Sequence, residues 1–296
     1  MPYLGELSAL LTSLCWSGSS YAFATAANRI GSLQLNINRM ILAAIFLFIT
    51  IFFAGISYSL SAFQITQLIL SGAIGLVFGD TFLFKAYQHI GARISMLLMA
   101  LSPIMSALLA YLFLNETLSP WGIIGITVTV GGVALVIFEK NEIPSTKYNI
   151  SKIGIFYGLM GALGQAVGLV FAKYAFNAGE INGFVATFIR ILSAIIIMLP
   201  VALLANRYKN PVKLFAKDVK AFTSTLTGTI LGPYLGITLS LVAVENAKVG
   251  IAATLMSTMP IIMLPIARYV FKENINWRAV IGAVLAVAGV GILFLK

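Results

Sequence analysis

Charge is scarce in this chain. Only 9% of its 296 residues are Asp, Glu, Lys or Arg, 60% are hydrophobic, and the mean hydropathy is +0.99. A water-soluble domain carries about 25% charged residues, so the polar material needed to cover a water-facing surface is not there. Thiols and imidazoles are scarcer still, with Cys15 the single cysteine and His89 the single histidine. One cysteine excludes an intrachain disulfide and any site built on paired cysteines; Cys15 reads as a small apolar residue of the first helix. One histidine in a short loop reads as a solvated side chain, and leaves few candidates for acid–base chemistry. His-Glu-x-x-His, Gly-x-Ser-x-Gly and nucleotide-binding motifs are all missing. The expectation is therefore no enzyme, no metal, no cofactor and no ATP-driven pump. Acids are outnumbered, 9 against 19 basic residues, for a net charge of +10. Almost all these charges fall in short segments between apolar runs, where Lys and Arg meet anionic headgroups. A nucleic-acid partner is not expected.

Long apolar runs are what the chain has in place of charge. A membrane-crossing helix needs about 20 mainly apolar residues. Candidate spans lie near 7–27, 36–54, 65–85, 94–114, 121–138, 153–175, 184–205, 221–243, 250–271 and 278–295. They are continuous and too long for the alternating strands of a β-barrel. The first run lacks a basic leader and carries Glu6 instead, so it reads as an uncleaved span rather than a signal peptide. The predicted fold is an all-α polytopic membrane protein with about ten transmembrane helices.

The chain repeats itself. Residues 98–120 read LMALSPIMSALLAYLFLNETLSP, and residues 255–277 read LMSTMPIIMLPIARYVFKENINW. At that one offset Leu98, Met99, Pro103, Ile104, Ala110 and Glu116 meet Leu255, Met256, Pro260, Ile261, Ala267 and Glu273. Gly75, Gly79 and Thr81 likewise meet Gly232, Gly236 and Thr238, and Gly125 and Gly132 meet Gly282 and Gly289. Earlier in each half the match needs a different offset, which sets Arg39 opposite Arg190. The polar stretch EKNEIPSTKYNISK divides the copies, giving a first five-helix repeat at 1–138, a linker at 139–152 and a second repeat at 153–296. Five is odd, so the second copy enters the membrane the other way round, as an inverted repeat. Lys173, Lys248 and Lys296 fall on the side of the termini and most other basic residues on the opposite side. The positive-inside rule then places both termini outside.

These segments resemble the EamA family of the drug/metabolite transporter superfamily. KAYQHIGARISMLLMALSPIMSALLAYLFLNETLSPWGIIGITVTVGGVALVI looks like that family's third-to-fifth-helix signature, and SLVAVENAKVGIAATLMSTMPIIMLPIARYVFKENINWRAVIGAVLAVAGVGIL is similar. LLTSLCWSGSSYAFATAANR resembles its tryptophan-bearing first helix. The resemblance implies a secondary transporter of small metabolites, often an exporter, with a substrate cavity between halves. It implies residence in the cytoplasmic membrane of a prokaryote. Asn115 and Lys272 stand where the family usually has Gly before the loop Glu, and the family is usually drawn with both termini cytoplasmic. The small multidrug relatives carry a Glu deep in the first helix; Glu6 lies at the start of that span, so their proton-for-cation exchange is not implied.

Charges inside spans carry the most weight, because each costs about 2.5–3.5 kcal/mol on insertion scales. Asp80 is the acid well inside a span. It is expected to face a cavity, pairing with a basic group or binding a substrate amine, or else to form a structural ion pair near the surface. Arg39 and Arg190 read either as helix-start residues reaching to headgroups or as a pair contacting an acidic substrate group or Asp80. Pro103 and Pro260, inside the fourth and ninth spans, read as hinges or gates, or as static kinks. Glu116 and Glu273 read as anchors at the water boundary. Trp16, Ser20, Tyr21, Tyr87, Ser95, Met99, Gln165, Tyr234, Thr238 and Met256 are candidates to line a metabolite cavity. The glycine arrays read as close helix contacts.

The function expected is alternating-access transport of a small organic metabolite, with export of an amino acid or related compound favoured. Uptake of a nucleotide-sugar-like or nitrogenous metabolite is the alternative, with lipid translocation behind it. The partners expected are the substrate, the lipid bilayer and a coupling proton or other ion, around a monomer or weak homo-oligomer.

Overall fold

The computed structural model describes residues 3–56, 59–114, 119–137, 151–246, 255–270, 272 and 274–293. Glu116, Glu273 and most of the 139–152 linker lie outside the described residues. In chain order the helices are α1 (Leu4–Ile30), α2 (Ser32–Phe53), α3 (Ala62–Ser71), α4 (Asp80–Met99), α5 (Ser102–Leu114) and α6 (Pro120–Ile137). There follow α7 (Lys152–Asn177), α8 (Gly183–Leu204), α9 (Pro211–Lys217), α10 (Val219–Thr229), α11 (Ile237–Asn246), α12 (Met259–Pro265) and α13 (Trp277–Leu293). Among the described residues, five helical stretches are long and apolar enough to cross a membrane: Ser32–Phe53, Ala62–Met99, Lys152–Asn177, Gly183–Leu204 and Val219–Ala243. Shorter apolar helices include Pro120–Val136, Met259–Tyr269 and Trp277–Ile292. Large apolar side chains such as Phe48, Phe52, Ile196 and Leu204 stand on the outside, as a bundle bathed in hydrocarbon requires.

The serine-rich α1 is less apolar than its neighbours because it runs through protein rather than along lipid. Its hydroxyls turn back on its own turns, Thr12 to Ser8 O at 2.8 Å, Ser17 to Ser13 O at 2.7 Å and Ser20 to Trp16 O at 2.6 Å. Each polar group is thereby satisfied without water.

Two long helical stretches are widened into π-helix at matching places. Gly72–Gly79 joins α3 to α4, and Ile230–Gly236 joins α10 to α11. Glycine lines both, and the second also holds Pro233, whose missing N–H a widened turn tolerates. Each widened stretch is crossed by the opposite half's first helix. A Cβ built on Gly164 of α7 would lie 2.6 Å from Gly79 Cα, and one on Gly168 would lie 2.8 Å from Gly75 Cα. α1 crosses the other stretch, where a Cβ on Gly232 would lie 2.9 Å from the Phe23 ring. The glycine arrays are close helix contacts, as their spacing predicts.

α6 and α13 meet at a local two-fold axis. A Cβ on Gly132 would lie 2.7 Å from Gly282 O, one on Gly282 would lie 2.7 Å from Gly132 O, and one on Gly289 would lie 2.7 Å from Gly125 O. Gly282 is the repeat mate of Gly125 and Gly289 that of Gly132, so each residue touches its partner's mate. The crossing is antiparallel, since Gly125 to Gly132 runs against Gly289 to Gly282. Thr129 Oγ1 donates across it to Ala286 O at 3.2 Å, again a pair of repeat mates.

Several sequence expectations are corrected. The third and fourth spans are not separated by a loop: the helix bends at Gly91, where φ is +74°, a value glycine accepts without strain. His89 is thus helical, its ring tilted against that of Tyr157 with centres 5.4 Å apart, rather than in a loop. Pro103 and Pro260 do not kink helix interiors. Turns at Ala100–Leu101 and Ser257–Thr258 interrupt the helices first, and each proline takes the second position of the helix that restarts. The restart is where its absent N–H is not needed. Matching bonds close both turns, Leu101 N to Leu98 O at 3.0 Å and Thr258 N to Leu255 O at 3.2 Å. The prolines that do lie within helices are Pro200, Pro233 and Pro265.

Outside the spans, Asp218 caps α10 by accepting from Ala221 N at 2.9 Å and takes Arg29 Nε at 2.8 Å. Those donors, Arg29 first, hold its carboxyl below the ordinary range. The tie is therefore complete at neutral pH and is lost as pH falls through that lowered value. Gln34 of α2 holds the neighbouring loop, donating to Lys209 O at 3.0 Å and accepting from Lys209 N at 2.9 Å.

Substitution Gly132→Leu is expected to destabilise the protein by about 1–3 kcal/mol through overpacking of the α6–α13 crossing. Gly131→Leu, whose Cβ meets nothing within 4 Å, serves as the control. Thermal melts in detergent check this, and equal midpoints for the two variants would contradict the crossing.

Candidate functional site

Near the middle of the bundle an ion pair is sealed from solvent. Arg39 of α2 and Asp80, the first residue of α4, bond through Nη2 and Oδ2, at 4% and 6% exposure. Asp80 is buried and paired, neither near the surface nor free for an amine, and Arg39 does not reach to headgroups. A buried pair survives in low dielectric only when its remaining donors and acceptors are also met, and here they are. Arg39 donates from Nε and Nη2 to Asn36 Oδ1 at 3.0 and 2.9 Å. Its guanidinium carbon lies 4.6 Å from the Phe84 ring centre and 5.3 Å from that of Phe23, a favourable placement for a desolvated cation. Gln165 of α7 donates from Nε2 to Asp80 Oδ1 at 2.6 Å.

The π-helical turn is part of this arrangement. Before Asp80 the ladder widens to five-residue bonds, Asp80 N–H donating to Gly75 O, and carbonyls there also accept from side chains. Gly75 O accepts from Gln165 at 3.1 Å, and Leu76 O accepts from Asn36 Nδ2 at 3.0 Å. Asn36 also reaches Thr81 Oγ1 at 3.1 Å. Arg190 of α8 completes the group, 7% exposed, with Nη2 3.4 Å from where a Gly75 Cβ would stand. Arg39, Asp80, Gln165 and Arg190, all singled out from sequence, are thus brought together. Two come from the first half and two from the second.

A second set forms an aromatic and thioether wall beside the ion pair. Tyr21, Phe23, Phe84, Tyr87, Met96, Met259 and Met263 pack as one cluster, with Trp16 and Met99 against it. Tyr87 Oη lies 3.1 Å from Met96 Sδ, and the Ser20 hydroxyl is within its reach. Of the proposed lining residues, Trp16, Ser20, Tyr21, Tyr87 and Met99 therefore share a neighbourhood.

The others do not join it. Tyr234 turns to α2, its hydroxyl 2.9 Å from Thr50 Oγ1 and its ring 5.7 Å from Phe46. Thr238 bonds back to Tyr234 O. Ser95 does the same to Gly91 O at 2.7 Å, and Met256 packs with Ala9 and Ala243. These four make those contacts and are not members of the aromatic cluster. A cavity of about 430 Å³ also lies elsewhere, under α9, lined by Asn38, Tyr208 and Phe215 among others. Tyr208 donates to Asn38 Oδ1 at 2.7 Å there, and burial raises its phenol above the ordinary value. Asn36, Phe23 and Phe84 were not singled out from sequence, and Thr81 stood out only as a repeat position. The signal for Asn36 was its three-residue spacing from Arg39, which puts both on one helix face.

Residues 3–138 and again 152–295 match the model of the EamA-like transporter family. The chain belongs to that family. It is a multi-pass membrane transporter of the drug/metabolite transporter superfamily, built of two family repeats. A solved structure titled "Crystal structure of protein" is similar at a TM-score of 0.68 over 98% of this chain and 96% of that one, at 14% identity. At that identity the likeness speaks for the fold alone. No curated protein matches the chain.

Asp80→Asn is expected to cost about 3–5 kcal/mol by leaving Arg39 buried without a counter-charge. Arg39→Met with Asp80→Leu should return much of that stability, because apolar groups of similar volume replace the pair. Thermal midpoints of the single and double variants check this; a double variant no more stable than Asp80→Asn contradicts it.

Proposed function

We propose that this member moves a small organic metabolite by alternating access between its two halves. The observation that carries the reading is the buried group Arg39–Asp80–Gln165–Arg190, drawn from both halves and placed where rearranging one half against the other must reshape it. Buried ionisable groups in a membrane bundle are expensive and mark solute pathways. The antiparallel two-fold at α6–α13 supports an inverted relation between halves, which gives two similar packings to exchange. The paired helix breaks before Pro103 and Pro260 are the proposed gates.

Export of an amino acid or related compound from a prokaryotic cell is the favoured cargo and direction. Trp16, Ser20, Tyr21, Tyr87 and Met99 supply an apolar wall with hydroxyls, and Arg39, Asp80, Gln165 and Arg190 supply the charged end. Asp80 is the group to carry a coupling proton, since protonation would release Arg39. The enclosed position of the polar group favours a small solute over a lipid.

Counterflow of labelled amino acids into liposomes tests the reading. Exchange by the wild-type protein and its loss with Asp80→Asn, at unchanged reconstitution, is expected. Full transport and unchanged pH dependence in Asp80→Asn would refute the role of the cluster.

A further inference from the structure

The buried group holds two guanidinium ions and one carboxylate; Arg190 lies within the field of Asp80, but only Arg39 is bonded to it. Arg39 has Asp80, the Asn36 amide oxygen and two aromatic rings. Both carboxylate oxygens of Asp80 are committed, Oδ2 to Arg39 and Oδ1 to Gln165. Arg190 is as deeply buried, yet its Nε has no hydrogen-bond partner, and no carboxylate among the described residues pairs with it. Its repeat mate is Arg39, but the residue that matches Asp80 in the second half is Ile237. The repeat therefore supplies the arginine twice and the acid once.

An unmatched guanidinium in hydrocarbon is a large penalty. Glycine at position 75 leaves bare backbone beside Arg190 Nη2, closely packed here: a Cβ there would stand 3.4 Å from Nη2, 3.7 Å from Gly168 Cα and 3.8 Å from Gln165 Oε1. A planar fork of N–H donors meets a carboxylate through two parallel bonds. A solute that is only a cation has no comparable place, because the acid is already bonded twice.

We propose that Arg190 binds the carboxylate of the transported metabolite, so that the cargo is a small carboxylic acid, whether a plain monocarboxylate or the carboxylate end of an amino acid. Arg39 is held by Asp80, the acid that carries the coupling proton; Arg190 is the ligand-binding member. This rests on the transport reading above. A bound monocarboxylate makes the charge of the group neutral, whereas an amino acid's ammonium leaves it at about +1. An empty carrier retains the unmatched cation, which disfavours its closing around nothing.

The test uses the full chain in detergent and a panel of proteinogenic amino acids, each beside its carboxamide, with short-chain monocarboxylates. Thermal shift and calorimetry read binding. Wild type is expected to be stabilised by at least one carboxylate and not by its carboxamide. Arg190→Met should abolish that shift, weakening affinity by about thirtyfold or more, as removal of one partner of a buried charged pair does. Arg190→Lys, which keeps the charge but loses the fork, should weaken it less. With no ligand, Arg190→Met should melt at or above the wild-type midpoint, an outcome a purely structural arginine would not give. No shift with any carboxylate, an equal shift with the carboxamides, or an Arg190→Met variant that keeps the shift overturns the proposal. Wild-type counterflow separates the two readings. Exchange confined to solutes without a carboxylate overturns this inference alone, whereas carboxylate binding without exchange supports Arg190 as a carboxylate site and sinks the alternating-access reading.

Discussion

An arginine and an aspartate bonded to each other inside an apolar bundle impose conditions on everything around them. Taken out of water, each ion loses several kcal/mol of solvation, and their attraction offsets this only when the remaining donors and acceptors are also satisfied. Asn36, Gln165 and the faces of Phe23 and Phe84 meet that demand for Arg39 and Asp80. Each of these groups needs its helix close by. Gln165 reaches Asp80 only because Gly164 and Gly168 let α7 press against Gly79 and Gly75. Asn36 finds Leu76 O because the helix is wound more widely there. Glycine spacing, π-helical turn and ion pair are thus one construction, and moving any part of it disturbs the others.

The two halves share a plan but differ in chemistry at the centre. Widened turns, interrupted helices and restarting prolines recur at matching positions, and α6 meets α13 about a local two-fold. Where the first half's widened turn receives the glycines of α7, the second half's receives the ring of Phe23 and the indole of Trp16. Where the first half has Asp80 the second has Ile237. A symmetric scaffold supplies two related packings; the unequal residues give it a polar centre with a surplus positive charge.

Much of this was legible in the sequence because membrane helices announce themselves. Low charge and long apolar runs define the fold class, and one shared offset pairs Pro103 with Pro260 and Gly132 with Gly289. Asp80, Arg39, Arg190 and Gln165 stood out because polar groups at membrane depth are rare. What the sequence could not show was direction. Tyr234, Ser95 and Met256 are of the same types as Tyr21, Ser20 and Met99, yet they and Thr238 make other contacts, and composition does not encode which face of a helix looks inward. The prolines misled for a related reason: a proline in an apolar run reads as a kink, but a turn two residues earlier makes it an ordinary helix start. Phe23 and Phe84 were invisible because an aromatic in an apolar run carries no sign that a cation lies across its face.

The account stands on the claim that the polar group between the halves is opened to water on each side in turn. Cysteine accessibility tests this most directly, with Thr81→Cys beside Asp80 on a Cys15→Ser background and a membrane-impermeant thiol reagent applied from either face of a sealed vesicle. The account predicts labelling from both faces, slowed when cargo is present. A thiol at that position that stays unreactive from both faces, in protein that retains transport, would contradict it.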